Sequence, residues 1–533
     1  MSEDLVFDYV VVGAGSAGCV LAARLTESGR HSVLLLEAGP EDRHIWIHIP
    51  LGYGKLFVNP RVNWMYESEP EPELGGRRIP QPRGKVLGGS SSINGLVYIR
   101  GQKEDFDHWR QLGNTGWSYD DVLPYFRRAE DQERGADEHH GTGGPLAVSD
   151  QRQTHELCEA FIDAADSVGI PRTCDFNGAT QEGAGYYQMT ARNGRRCSTA
   201  RGYLRPARKR SNLRVETEAL SSRLLFEGRR AVGVEFLQRG ATRIARARRE
   251  VILAAGAIAS PQLLQLSGLG PAALLKEHGI PVIADIPIGD GLQDHFQIRM
   301  VYRCRKACTL NDDLGSLRRK VGMGLRYALW RKGPLAVSAG YAGAFFKTDE
   351  RLATPDIQSH FILFSTDKMG TALHPWSGFT ASVCQLRPES RGSVRIKSAD
   401  PRQPPAIRPN YMSDELDRRT VVAGLRRLRE IMQARPLEPF VAAEAEPGPA
   451  VADDAALLQY ARDRGSTIYH PTCTCRMGGD AGAIVDERLR LRGFESLRVV
   501  DGSIMPSVVS GNTNAAIVMI AEKGSDMIQA DAA

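Results

Sequence analysis

Residues 8–37 read DYVVVGAGSAGCVLAARLTESGRHSVLLLE, and the order of patterns in this stretch decides the fold of the N-terminal part. An apolar run from Asp8 to Val12 ends at Gly13-Ala14-Gly15-Ser16-Ala17-Gly18. Apolar residues then recur at helical spacing from Cys19 to Leu25, and a second apolar run, Ser32 to Leu36, stops at Glu37. Strand, turn, helix and strand within about 30 residues is the context that a dinucleotide-binding fingerprint requires. Gly13 permits the tight turn, Gly15 lets backbone approach a pyrophosphate, and Gly18 allows the helix to pack closely on the strand. The phosphates sit at the helix N-terminus, beside Ser16. Glu37 follows Gly18 by 19 residues, where a carboxylate accepts both ribose hydroxyls and disfavours a 2'-phosphate.

Working outward, the 533-residue chain is 42% hydrophobic, enough for a large core in two or more domains. Its 68 basic and 63 acidic side chains are spread along the whole length, leaving +5, which argues against nucleic acid as a partner. The basic stretches Arg195 to Arg210 and Arg239 to Arg249 read as solvated faces, with docking to an acidic partner or a membrane surface left open. No run of about 18 apolar residues occurs, so no spanning helix is expected. Met1 to Phe7 carries Glu3 and Asp4 without a positive n-region, so the expected location is cytoplasmic, with peripheral contact to the inner membrane face left open. Nine cysteines, an odd number without framework spacing, read mostly as small core residues.

Pro40 to about Gly144 is rich in Pro, Gly and aromatics and predicts extended segments, apart from a helix near Asp120 to Asp131. Helical spacing returns at His155 to Gly169. Leu213 to Leu237 alternates around a Glu-Gly turn, and Arg249 to Ala255 is another apolar run. From about His295 to Asp463 the pattern changes to aromatic strands, Gly343 to Lys347 and Ser359 to Phe364, and a helix from Asp414 to Arg435. Leu497 to Asp501 then predicts a short strand and Asn514 to Ala530 a final helix.

A second motif runs from Gly84 to Gly95, with Gly88, Gly89, Ser90, Ser91, Ser92, Ile93 and Asn94 forming a loop of small and hydroxyl residues suited to lying along a diphosphate. A third is Gly256-Ala257-Ile258-Ala259-Ser260-Pro261-Gln262, continuing to Gly270 and preceded by Ala255. With Asn63 to Glu67, Ser198 to Leu204 and Leu386 to Gly392, these stretches resemble the glucose-methanol-choline oxidoreductases, most closely their choline-dehydrogenase-like and aliphatic-alcohol-dehydrogenase branch. One departure is Gly291 in Gly291-Leu292-Gln293-Asp294-His295, where relatives often have Asn. The resemblance implies an α/β fold with an α+β second domain. A Rossmann-type FAD-binding domain would be assembled from residues 1–150, 195–295 and 464–533. A substrate-binding domain with an antiparallel sheet would span 296–463, with 151–194 as a connecting segment. FAD contacts are expected from Gly13, Gly15, Ser16, Gly18, Glu37, Ala38, Gly88, Ser92, Asn94, Gly95, Ala255, Gly256, Asp501, Gly502, Asn512 and Thr513. Some choline oxidases attach FAD through a histidine where this chain has Ile93, so binding is expected to be noncovalent.

Oxidising an alcohol needs a group that takes the hydroxyl proton while hydride leaves carbon, and imidazole titrates in a suitable range. In the resembled family a histidine of a His-Pro segment and a histidine or asparagine near the last helix face the flavin. The matching residues are His470 and Asn512, with Tyr469 beside them as a further substrate contact. Asn512 also suits capping of the following helix. His140, His295 and His374 read as structural. His470, Cys473 and Cys475 suggest a metal only superficially, since four convergent ligands are the norm and no second cluster appears; no metal is expected. Cys473 is itself a departure, because relatives often have glycine there.

For a cationic alcohol such as choline, an aromatic cage and a carboxylate would be needed. Trp64 and Tyr469 offer aromatics, but no carboxylate stands out. The branch resemblance favours an uncharged primary alcohol, aliphatic or aryl-substituted, with a quinone-type electron acceptor. An oxygen-using oxidase, a choline dehydrogenase, an FAD-containing hydroxynitrile-lyase-like enzyme and a non-catalytic flavin module stay open.

Overall fold

In the computed structural model, which describes residues 5–368 and 370–532, the glycine fingerprint follows the carboxyl end of a central strand of a seven-stranded sheet. Glu3 and Asp4, on which the leader reading rested, lie outside those residues. The strands order as 213–216, 33–36, 5–12, 241–253, 230–238 and 219–227, and strand 497–499 pairs with 241–253. The pairings around Leu5–Val12 and with Leu497–Val499 are parallel, whereas 219–227, 230–238 and the first half of 241–253 form an antiparallel meander. Val12 pairs with Leu36 and Leu253, and Leu253 pairs with Val499, so four strands end at the same level. Outside the carboxyl ends of parallel strands is where α/β sheets bind ligands.

Helix Ser16–Leu25 packs on this sheet because Gly18 has no side chain. A Cβ there would stand 1.8 Å from the Gly13 carbonyl oxygen, and one on Gly13, at φ +95°, would stand 2.7 Å from the Ala254 oxygen. The side chains Val10 to Val12, Val20, Leu21 and Leu34 are buried together, as expected of a sheet covered on both faces.

A second seven-stranded sheet, antiparallel throughout, orders as 441–446, 296–304, 378–385, 357–362, 342–346 and 183–186, with 466–467 also paired to 296–304. Period-two alternation divides its residues. Phe296, Ile298, Met300, Ile357 and Phe361 point into a core with helices Glu156–Ser167 and Glu415–Gln433, where Phe161 stacks on Phe361 at 4.6 Å. Gln297, Arg299, His360 and Ile362 line a cavity instead.

The fold is thus mixed α/β, and it departs from the sequence reading in particular places. The Pro40–Gly144 region holds further helices, the longest of them Lys103–Gln111, which opens on a capping box between Gln102 and Asp105. The apolar run from Arg249 is only the end of a 13-residue strand, Ala241–Leu253, whose first half is arginine-rich. Six cysteines are buried, while Cys304 and Cys308 are half-buried and Cys174 is exposed. No helix among the described residues is long and apolar enough to cross a membrane.

Candidate active site

The four strand ends deliver Gly13–Gly18, Glu37–Ala38, Ala255–Gly256 and Asp501–Gly502 to one elongated cavity. Helices Ser16–Leu25, Gly256–Leu266 and Asn514–Asp531 all begin there, and the Ser16 hydroxyl donates to Asn514 Oδ1 at 2.7 Å. Three helix N-termini place partial positive charge where a diphosphate would lie. Gly15 leaves its backbone open toward the cavity, its absent Cβ meeting nothing closer than 3.8 Å, and Gly256, at φ +85°, faces open space. This cradle fits a dinucleotide pyrophosphate.

Glu37 is buried, and its oxygens accept from the Ala14 N–H at 3.0 Å and the Gly39 N–H at 2.8 Å. Each oxygen retains a lone pair for a ribose hydroxyl. Burial pushes this carboxyl up to about 7, against the two N–H bonds that favour its charged form. Asp501 lines the cavity, but its carboxylate accepts from the Gly256 N–H, Ser260 Oγ, and the Ser503 N–H and Oγ at 2.6–2.8 Å. It aligns two of the strand ends rather than offering free acceptors. The Ser92 hydroxyl donates to the Leu87 carbonyl at 2.7 Å, and Gly88 turns at φ +86°; both shape the loop, while Ser90 faces the cavity. Ser90 and Arg83 were not among the expected contacts, though Ser90 belongs to the hydroxyl-rich motif.

A second cavity of about 150 Å³ joins the first through Ser16, Arg83, Ser90, Thr513 and Ile517. Ile93, Asn94, Gly95, Tyr469, His470 and Asn512 line it. Asn512 does not cap the last helix, whose cap position is Thr513. Instead Asn512 Oδ1 accepts from Gln358 Nε2 at 3.1 Å, which turns Asn512 Nδ2 toward His470 Nε2 at 3.2 Å. His470 Nδ1 lies 3.0 Å from His295 Nδ1, and His295 Nε2 lies 2.9 Å from the Leu386 carbonyl.

This chain fixes the protons. A carbonyl only accepts, so His295 Nε2 donates to it. Burial pushes His295 down to about 4, so the ring is neutral and its Nδ1 accepts. His470 therefore donates from Nδ1. Burial, then the neighbouring His295, Arg83 and His360, hold His470 well below the ordinary histidine range. Its Nε2 is left as a lone pair beside Asn512 in the cavity. His295 is thus part of the site, not a remote structural histidine. His140, between Glu130 and Asp175, and His374, stacked on Trp376, are not. The backbone N–H of His470 donates to Asp294 Oδ1 at 2.7 Å, and Asp294 Oδ2 accepts from Tyr411 and Thr467 at 2.5 Å each.

Trp64, one of two aromatics available in the sequence for a choline cage, lies on the first cavity, stacked on Tyr66 at 5.5 Å under the Lys85 ammonium. The second cavity's aromatics are Tyr53, Phe57 and Tyr469. Its charged side chains are Arg83 and Arg299, without a carboxylate in the lining. Cys473 adopts φ +73°, which explains why glycine suits the position, and burial pushes its thiol up to about 12. Among the described residues, no three or more His, Cys, Asp or Glu side chains converge as metal ligands.

Two family models match, both described as GMC oxidoreductase: the N-terminal one over residues 7–297 and the C-terminal one over 388–521. The chain is a GMC oxidoreductase. It is similar to an oxygen-dependent choline dehydrogenase of Vibrio vulnificus, 44% identical over 98% of this chain and 94% of the relative. It is also similar to the mitochondrial choline dehydrogenase of Homo sapiens, at 45% over 98% and 90%. Among solved structures it resembles pyridoxine 4-oxidase from Mesorbium loti, with a TM-score of 0.88 at 32% identity over 97% and 98% of the two chains. Formate oxidase superposes with a TM-score of 0.92 at 27% identity, covering 100% and 99%. The protein is an FAD-dependent oxidoreductase acting on CH–OH donors.

Removing the ribose acceptor by Glu37→Ala should weaken FAD by about 1–3 kcal/mol, the range of a charge-assisted hydrogen bond. Because ribose hydroxyls donate to the charged carboxylate, FAD affinity of the apoprotein should rise as pH increases through about 7. Titration of apoprotein with FAD checks both, and wild-type affinity in the variant would reject the assignment. His470→Ala should retain FAD but slow anaerobic flavin reduction by roughly 10²-fold, with a smaller or comparable loss for Asn512→Ala. With the neutral imidazole as the proton acceptor in this expectation, its lowered pKa means the wild-type rate should stay level down to pH 6.5 and fall only below it. Stopped-flow reduction across pH tests this; an acid limb centred above 6.5 would contradict the buried, neutral His470.

Proposed function

We propose that this enzyme oxidises an uncharged primary alcohol, aliphatic or aryl-substituted, to the aldehyde, and passes the electrons to a quinone-type acceptor. The observation that carries this reading is the unprotonated Nε2 of His470 beside Asn512 in a cavity continuous with the dinucleotide groove. His470 Nε2 takes the hydroxyl proton, and the positive charge that forms is shared through Nδ1–H with His295. Asn512 Nδ2 donates to the alcohol oxygen as negative charge develops, an interaction stronger in the transition state than in the ground state. Arg83, half-buried at the junction of the two cavities, keeps a guanidinium where negative charge collects, anchored by donation to the Tyr469 carbonyl at 2.5 Å. FAD, when bound, supplies the hydride acceptor. Residues 1–150, 195–295 and 464–533 form the flavin-binding unit in this reading, with 296–463 as the substrate unit. Residues lining the two cavities account for its contacts to cofactor and substrate.

Choline oxidation is the second reading, favoured by the names of relatives 44–46% identical. Against it stand Arg83 and Arg299, and the lack of any lining carboxylate to receive a quaternary ammonium. The same relatives' names favour oxygen as the acceptor.

Anaerobic mixing should therefore bleach the flavin at least about tenfold faster with an uncharged primary alcohol than with choline, the step expected for about 1.4 kcal/mol of discrimination. Faster bleaching by choline would favour the second reading, and rapid reoxidation on admitting air would favour oxygen over a quinone. Ile93 lines the substrate cavity and offers no nucleophilic nitrogen. Acid precipitation should accordingly release the yellow chromophore as intact FAD. A flavin that sediments with the protein would show a covalent bond elsewhere.

A further inference from the structure

Helix Leu317–Trp330 carries 14 residues, of which only Tyr327 is buried. Leu317, Val321, Leu325 and Leu329 recur every four residues and are 78%, 54%, 57% and 66% exposed. At 100° per residue they form one stripe, joined by Gly324 and Ala328, on the side away from Tyr327. Arg319 and Arg326 flank the stripe on one side, Lys320 and Arg331 on the other, and Arg318 lies within its first turn. The helix contains no acidic residue. A helix that buries one side chain gains little from packing, and its apolar face is turned outward.

Tyr327 ties this helix to its surroundings, donating to the Gly194 carbonyl at 3.0 Å and reaching the His48 carbonyl at 3.5 Å. The short helix Ile45–His48 there exposes Ile45 to 66%. Arg195 and Arg201, from the first basic stretch of the sequence, also approach Tyr327. The stripe and its basic borders thus form one outward-facing surface of the helix, held from behind by Tyr327.

We propose that this face docks on an anionic lipid bilayer, with helix Leu317–Trp330 lying in the plane of the membrane surface. Its 14 residues span about 21 Å, too short to cross a hydrocarbon core of about 30 Å. An apolar stripe between two basic borders is the pattern of an interfacial helix, the apolar side chains entering the acyl boundary and the basic ones meeting lipid phosphates. A second copy fits the face less well, because a two-fold contact would bring like basic borders together. The chain continues from this helix through Pro334–Ala336 to Ala339 and Gly340, which line the substrate cavity. Docking would bring that wall of the cavity near lipid.

The test is co-sedimentation of the flavin-loaded enzyme with vesicles of phosphatidylcholine alone, or of phosphatidylcholine with 30 mol% phosphatidylglycerol. Wild type should bind the anionic vesicles, weakly bind the neutral ones, and be released by salt. The double variant Leu325→Glu/Leu329→Glu should lower partitioning by at least about tenfold, and Lys320→Glu/Arg326→Glu should lower it on the anionic vesicles. Flavin content and dye-linked turnover without vesicles should match wild type in both variants, since these residues are solvent-exposed. Wild type left in the supernatant with anionic vesicles would overturn the proposal whatever the variants do. Equal binding by both variants would also overturn it. A wild-type dimer, by light scattering, that Leu325→Glu/Leu329→Glu turns into monomer without wild-type vesicle binding would assign the face to self-association instead.

Discussion

Everything at the site hangs on the alignment of four strand ends. Val12, Leu36, Leu253 and Val499 stand at one level of a parallel array, although they come from residues as far apart as 12 and 499. Hydrogen-bond register fixes their relative height to within a fraction of a residue, and each next residue inherits that precision. The fingerprint turn, Glu37, Gly256 and Asp501 therefore meet without any one loop having to be rigid by itself. Asp501 reinforces the alignment by binding the first turn of the Gly256 helix and the turn at Ser503 together. The same constraint explains the intolerance of Gly13 and Gly18 to a side chain. A shift of helix Ser16–Leu25 large enough to admit a Cβ would move the N-terminus that faces the phosphates.

The second sheet contributes in a different currency. Its alternation sends one set of residues into an apolar core and the other, mostly polar, into a cavity. Burial there decides the protonation of His295, His360 and His470, pushing all three toward the neutral form. Neutral rings need ordered donors and acceptors, and the Leu386 carbonyl at one end and Gln358 through Asn512 at the other supply the order. A base held neutral by burial is weaker than a free imidazole, which asks for compensation as it accepts a proton. His295 Nδ1 provides it directly, by accepting the Nδ1–H whose acidity rises at that moment.

The local parts of this arrangement were legible in the sequence. Fingerprint, helix spacing and Glu37 lie within 30 residues, so pattern and turn chemistry sufficed. His470 and Asn512 came from motif resemblance, not from any pattern that singles out one imidazole among twelve. His295 escaped because its role arises from a contact across 175 residues, and an isolated buried histidine is ordinarily structural. Trp64, weighed only as an aromatic available to a cationic substrate, lines the first cavity instead: composition says that an aromatic is present, not which wall it faces. Strand Ala241–Leu253 was cut short because arginines on its outward face interrupt the apolar pattern of its antiparallel half. Helix Leu317–Trp330 went unread because its apolar stripe is not matched by a core.

Substrate choice is the part least bound to the fold. On strands 296–304 and 357–362 the cavity residues Gln297, Arg299, His360 and Ile362 alternate with the core residues Phe296, Ile298, Met300, Ile357 and Phe361. Replacing one of the first set leaves the packing of the second untouched, because neighbouring side chains leave the sheet in opposite directions. The pocket can therefore change charge and shape while the sheet, its helices and the His470–Asn512 pair stay in place. Arg299 illustrates this freedom: its guanidinium faces the cavity from the same strand whose Ile298 and Met300 are fixed in the core. High identity along the chain constrains the chemistry of hydride removal more tightly than the identity of the alcohol, since the first depends on strand ends and backbone, and the second on a few side chains of one sheet face.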